Sequence, residues 1–179
     1  MTQQQMNALI VHGIGMAVPN VCEIMLGVPA VVGEARQIGH PLQESDGVVA
    51  LVGMAGAWIG TGALSCRPPV ACKIAESFLL TECPKVNDDV LDAVSELANI
   101  VIGNLKTVIE EQVGDMGLST PTTIYGASFT TKIGGSSEWT LVPVEICGGE
   151  MLVHVCMLPN LDRSPHQRFE HVGHLLTKA

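Results

Sequence analysis

Between Asn87 and Val113 the chain reads NDDVLDAVSELANIVIGNLKTVIEEQV, and the groups in it able to do chemistry are few and regularly spaced. At roughly 100° per residue, Asp92, Glu96, Asn99, Gly103 and Lys106 form a narrow strip along one side of a helix. Val90, Val94, Leu97, Val101, Leu105 and Val108 stack on the opposite side, with Ala93, Ala98, Ile100, Ile102 and Ile109 on the flanks. Glu96 and Asn99, at i and i+3, therefore point the same way. A carboxylate beside a carboxamide offers hydrogen-bond acceptors and donors to water or to a partner, but no strong nucleophile. Gly103 lies in the strip one turn beyond Asn99. A glycine there costs about 1 kcal/mol of helix stability relative to alanine and leaves room for another backbone to approach. The plainer reading of the strip is the solvated side of a core helix.

The surrounding pattern supplies the elements that would position this helix. Asn87 or Asp88 can cap it, and Pro84 separates it from a shorter helix that starts at Pro68 and Pro69 and runs through about Leu80. Near the N-terminus, Ile10, Ile14, Ala17, Val21 and Ile24 recur at helical spacing, with a bend expected near Pro19. This stretch is apolar enough to raise a signal peptide or a membrane span. Its first basic residue is Arg36, however, and His12, Pro19 and Glu23 interrupt it, so a core helix of a cytoplasmic protein is expected.

Strand signals occupy the rest of the chain. Pro29 to Gly39 reads as a first strand; Val48 to Met54 and Ile59 to Leu64 read as a hairpin around Gly56, Ala57 and Trp58, with the Trp58 ring packed back onto the sheet. Thr122 to Thr131 adds a neighbouring strand, with residues 134–137 as its turn. A last hairpin turning on Gly148 and Gly149 would set Ile146 opposite Met151, Val144 opposite Val153 and Val142 opposite Val155, giving one wholly apolar face. The other face carries Glu145 and His154, expected to be ordinary sheet-surface residues rather than an acid/base pair.

Composition narrows the function classes. The 179 residues, 47% hydrophobic and only 3% aromatic, can bury one aliphatic core. A net charge of −9 without any Lys- or Arg-rich run disfavours binding to nucleic acid or to an anionic membrane. The six cysteines, Cys22, Cys66, Cys72, Cys83, Cys147 and Cys156, include no C-x-x-C pair and read as buried reduced thiols. His166, His171 and His174 crowd the tail without an acidic or thiolate set beside them, so no metal is expected to be bound by this chain. The sequence contains no G-x-S-x-G, phosphate-binding glycine loop or H-E-x-x-H, and Ser95 has no histidine close to it in the chain.

The spacing of Asp92, Glu96 and Asn99, followed by Pro121, resembles the signature of the CheC, CheX and FliY chemotaxis phosphatases, and is most similar to CheX. That family's pattern is an Asp or Ser, three residues, Glu, two residues, Asn, twenty-two residues and Pro. Here twenty-one residues separate Asn99 from Pro121, one fewer than usual. The segments EIMLGVPAV, GMAGAWIGTGAL, ELANIVIGN, STPTTIYG and VPVEICGGEMLVHV fall in the order of a CheX-like domain, covering about Asn7 to Pro159. One motif is present, as in single-site members.

The resemblance implies an α+β domain of the CheC-like fold, with a largely antiparallel sheet packed with long helices, over residues 1–161, followed by a C-terminal tail over 162–179. It implies a phosphatase acting on the phosphoaspartate of a CheY-type receiver domain. Asn99 would orient the attacking water, Glu96 would pair with the receiver's lysine, and Asp92, Gly103 and Lys106 would lie at the contact. No cofactor would be held by this chain, with Mg²⁺ expected in the receiver, and a homodimer formed through the sheets is expected. A receiver-binding scaffold without hydrolysis is the alternative from another class, and an unrelated α+β enzyme with a site on the sheet is a more remote one.

Overall fold

The computed structural model describes residues 1–39, 45–129 and 138–161. Helix α1 (Gln3–Val21) opens on a capping box: Gln5 N–H donates to Thr2 Oγ1 at 3.2 Å, and Thr2 N–H donates to Gln5 Oε1 at 2.8 Å. Met6, Ile10, Ile14, Ala17, Val18 and Val21 form its buried face. Pro19 lies inside the helix, and at Cys22 the α-helix passes into a π-helical turn, Cys22–Leu26. The altered period buries Cys22 and Leu26 and leaves Ile24 70% exposed, so the apolar spacing that predicted a core position for Ile24 fails there. The stretch Gln3–Leu26 is long and apolar enough to cross a membrane. In this fold its inner face belongs to the domain core.

The expected first strand is two short ones, β1 (Ala30–Val32) and β2 (Arg36–Ile38), because the chain leaves the ladder between them. Strands β3 (Ser45–Ala55) and β4 (Trp58–Cys66) form the expected hairpin, and Trp58 at its turn is buried in the core. Helix α2 (Pro68–Leu79) follows with its prolines in the first turn, where the missing N–H groups cost nothing. Then comes α3 (Asp88–Val113), the longest element, followed by β5 (Gly117–Leu118), β6 (Thr122–Phe129), β7 (Trp139–Ile146) and β8 (Gly149–Pro159).

Every strand pair is antiparallel, in the order β1–β7–β8–β4–β3–β5; β2 also pairs with β7, and β6 with β3. Strand β6 thus sits across the sheet from β7, its successor in sequence. The turn expected at residues 134–137 lies outside the described residues. In the β7–β8 hairpin the two turn residues are Cys147 and Gly148, both with positive φ (54° and 73°), instead of the two glycines. Val144 therefore faces Met151 and Val142 faces Val153. The register differs by two residues from the expected one, and since side chains alternate with period two, the apolar face survives the shift.

Leu64, Val142, Val144, Val153 and Val155 on that face join the inner sides of α1 and α3 in one core. Helix α3 is seated on two glycines. A Cβ on Gly13 of α1 would come within 2.6 Å of Leu105 Cδ1, and one on Gly62 of β4 would overlap Ile102. Both neighbours lie on the buried side of α3, so these close approaches fix which side turns outward.

Candidate functional site

Helix α3 begins at Asn87, whose Oδ1 accepts from the Val90 N–H at 3.0 Å, with Asp88 and Asp89 in the first turn where the helix dipole favours negative charge. Val90, Val94, Leu97, Val101, Leu105 and Ile109 are fully buried, and Val108 is half-buried. The periodicity therefore turns the expected strip outward: Asp92 and Glu96 are exposed, and Asn99, Gly103 and Lys106 are half-buried. Leu91 and Ile100, also half-buried, border it with apolar surface.

The strip divides by how its side chains are engaged. Among the described residues, none hydrogen-bonds or ion-pairs with the side chains of Asp92, Glu96 or Asn99. Lys106 is committed within the chain. Its Nζ lies 2.7 Å from Glu110 Oε1 and also donates to the Met116 carbonyl at 3.4 Å, while the same Glu110 oxygen accepts from the Met116 N–H at 2.8 Å. The Lys106 ammonium, then the Met116 amide, hold the Glu110 carboxyl below the usual carboxylate range.

This clamp fixes the turn after α3, just before β5 begins at Gly117. A Cβ on Gly103 would meet Leu118 Cδ1 at 3.7 Å, so the open place in the strip faces Leu118 of the same chain. Ser119 locks the next step: its N–H donates to the Gly53 carbonyl and its Oγ accepts from the Gly53 N–H, both at 2.9 Å. The linker that carries half-buried Pro121 then leads into β6 beside α3. Sequence reasoning did not find Glu110, Met116 or Leu118. The i,i+4 spacing of Lys106 and Glu110 was a legible signal for part of it. Asn104 is exposed, its Nδ2 donating to the Ile100 carbonyl at 2.8 Å.

A carboxylate and a carboxamide without partners among the described residues, on a two-sided helix, can accept from a cation, and can both accept from and donate to a water or an oxyanion. Among the described residues the other constellations are not assembled. Glu145 pairs with Glu150, whereas His154 pairs with Leu141 and Ala63, so no Glu145–His154 couple forms, and His154 is buried rather than on the sheet surface. All six cysteines are free and all but Cys147 are buried. Among the described residues no three His, Cys, Asp or Glu side chains are grouped to hold a metal. The tail histidines lie outside the described residues.

The sequence profile of the chemotaxis phosphatase CheX family matches residues 48–145, more than half of the chain and all of α3. The chain belongs to the CheX family. Its fold is the CheC-like one. A CheC-like superfamily protein from Shewanella sp. PV-4 superposes with a TM-score of 0.74 at 19% identity, over 84% of this chain and 97% of that one. The chemotaxis protein CheX from Vibrio vulnificus is similar with a TM-score of 0.74 and 22% identity, over 83% and 99%. CheX from Borrelia burgdorferi, in a complex with CheY, BeF3 and Mg²⁺, is similar with a TM-score of 0.69 and 23% identity, over 82% and 96%. No curated protein sequence matches this chain.

Proposed function

We propose that this CheX-family protein hydrolyses the phosphoaspartate of a CheY-type receiver domain, with α3 laid across the receiver's phosphorylation site. The observation that carries this reading is the pair Glu96 and Asn99, outward on α3 and free of partners within the chain among the described residues, in a member of a phosphatase family. The Borrelia burgdorferi relative, in complex with CheY, supports a receiver as the partner.

In the proposed mechanism Asn99 enters the receiver's site and accepts a hydrogen bond from a water, aligning it with the phosphorus opposite the aspartyl oxygen. Water attacks, the bond to the carboxylate breaks, and inorganic phosphate leaves with the aspartate restored. The amide acts by position, since it is no base, and holding reactants in line can supply several kcal/mol of the barrier. Glu96 pairs with a lysine of the receiver and sets the register of the helix. Asp92 touches the partner at the rim, and Gly103 with Leu118 beside it allows close approach. Lys106 contributes through the clamp that holds the turn. The receiver supplies the phosphoryl group and its Mg²⁺, which is why this chain needs no nucleophile or metal set of its own.

The test is incubation with a panel of phosphorylated receivers in Mg²⁺, with EDTA and Asn99→Ala controls, measuring phosphate release. Acceleration that needs both a receiver and Asn99 is expected. Binding without hydrolysis would make the chain a receiver-binding scaffold, and hydrolysis of small phosphoesters without any receiver would refute the mechanism.

A further inference from the structure

The strip on α3 is narrow for a protein partner. From Asp92 to Lys106 it runs about 21 Å along the helix axis, whereas a stable interface engages about 800 Å² on each side. Surface beside the helix must complete the contact. The strip already turns toward one flank: Gly103 faces Leu118 of β5, and Lys106 reaches the Met116 carbonyl just before that strand.

That flank continues into β6. Strands β5 and β6 lie along the same edge of β3, β5 opposite Met54 and Ala55 and β6 opposite residues 45–51. Thr123 pairs with Ala50 and Tyr125 with Val48, and both partners belong to the core, so Thr123 and Tyr125 stand on the helix side of the sheet. Ile124, between them, pairs with Val49 on the back of the sheet, the face turned away from α1 and α3. Thr123 Oγ1 is buried, but Tyr125 is 51% exposed. It lines a groove of about 440 Å³ with Pro84, Lys85 and Val86, the residues that lead into the Asn87 cap. The ring therefore stands beside the first turn of α3. It lies on the face of β6 and not in its hydrogen-bonding edge.

We propose that Tyr125 is a specificity-determining contact for the receiver, packing its ring against the docked partner at the end of the strip remote from Lys106. The inference rests on the reading of α3 as the receiver-binding helix. A tyrosine offers a large apolar face with a polar tip and loses little side-chain freedom on contact, which is why interfaces are rich in it. Position decides what this one does. The first turn at Asp88 is about 12 Å along the axis from Glu96 and about 17 Å from Asn99. A round patch of about 800 Å² has a radius of about 16 Å, so a partner centred on Glu96 covers Tyr125. The in-line water at Asn99 is out of its reach, so the ring acts on docking and on the choice of receiver, not on the chemical step.

Tyr125 is the only tyrosine of the chain, so incorporating 3-fluorotyrosine gives a single fluorine NMR resonance that reports on this ring alone. Titration of the full chain with a receiver in its BeF3 and Mg²⁺ form, with binding followed in parallel by calorimetry, should move that resonance saturably. Tyr125→Ala should raise KM for the phosphorylated receiver about five- to tenfold, with kcat within about twofold and thermal unfolding unchanged, and Tyr125→Phe should restore most of the KM. A receiver that binds while the resonance stays in place, or an unchanged KM in Tyr125→Ala, overturns the role of Tyr125 and leaves α3 as the docking helix. If no receiver binds the unmodified chain, the reading of α3 fails and this inference falls with it.

Discussion

Asn99→Ala removes a half-buried carboxamide that makes no hydrogen bond within the chain among the described residues, and alanine favours the helix, so stability should hold or rise slightly. Receiver dephosphorylation should fall about 10²-fold or more, because only the in-line water is lost. Normal phosphate release by this variant, measured beside its thermal unfolding, would remove Asn99 from the mechanism. Glu96→Ala should act differently, raising KM for the receiver and weakening its salt dependence, since an exposed charge meets its partner only on docking. These two positions were legible in the sequence because a long helix with a fully apolar side leaves no choice about which residues face out. Their neighbour Lys106 was legible as part of the strip but not as a clamp: its partners at Met116 depend on where the chain turns after Gly114, which helical period does not encode.

The turn that follows α3 is the element on which that clamp acts. Lys106→Met or Glu110→Gln should free the Met116 backbone and loosen Leu118 over Gly103, raising KM for the receiver several-fold with kcat nearly unchanged. A fall in kcat alone would place Lys106 in the chemistry instead. The pH dependence has a defined sign. Glu110 has a lowered folded pKa, so the clamp is complete above the ordinary carboxylate range and is lost only as pH falls through the lowered value. Receiver affinity should therefore show no contribution from this group between pH 6 and 8. Other elements show where sequence patterns stop informing. The β7–β8 register moved by two because Cys147 adopts a positive φ that a non-glycine rarely takes, so two adjacent glycines were a misleading turn signal. Ile24 left the core because the π-helical turn changed the period at Cys22. The pairing of β6 with β3 is a long-range choice that no local pattern in Thr122–Phe129 carries.

At the scale of the whole molecule, both sides of the sheet end in strands whose outer edge is unpaired among the described residues and which carry exposed apolar side chains: Val31 on β1 is 63% exposed and Tyr125 on β6 is 51% exposed. Such edges favour pairing with a second copy, and light scattering over a wide concentration range should give a homodimer; a monomer throughout would count against it.

Acid stability tests the back of the sheet independently of any partner. His154 is buried neutral, with a folded pKa of about 4 against 6.5 for the free side chain, so below pH 6.5 the unfolded chain takes up a proton that the folded one refuses. Stability from this group is thus complete above pH 6.5 and declines as pH falls from 6.5 to 4, by on the order of 3 kcal/mol across the window. His154→Leu, which cannot titrate, should lose part of the packing and the hydrogen bond between His154 Nε2 and Ser65 Oγ but flatten the stability curve over that range. Urea unfolding at a series of pH values measures the slope directly. Equal slopes for the two chains between pH 6.5 and 4 would mean that the imidazole takes up its proton in the folded protein as well.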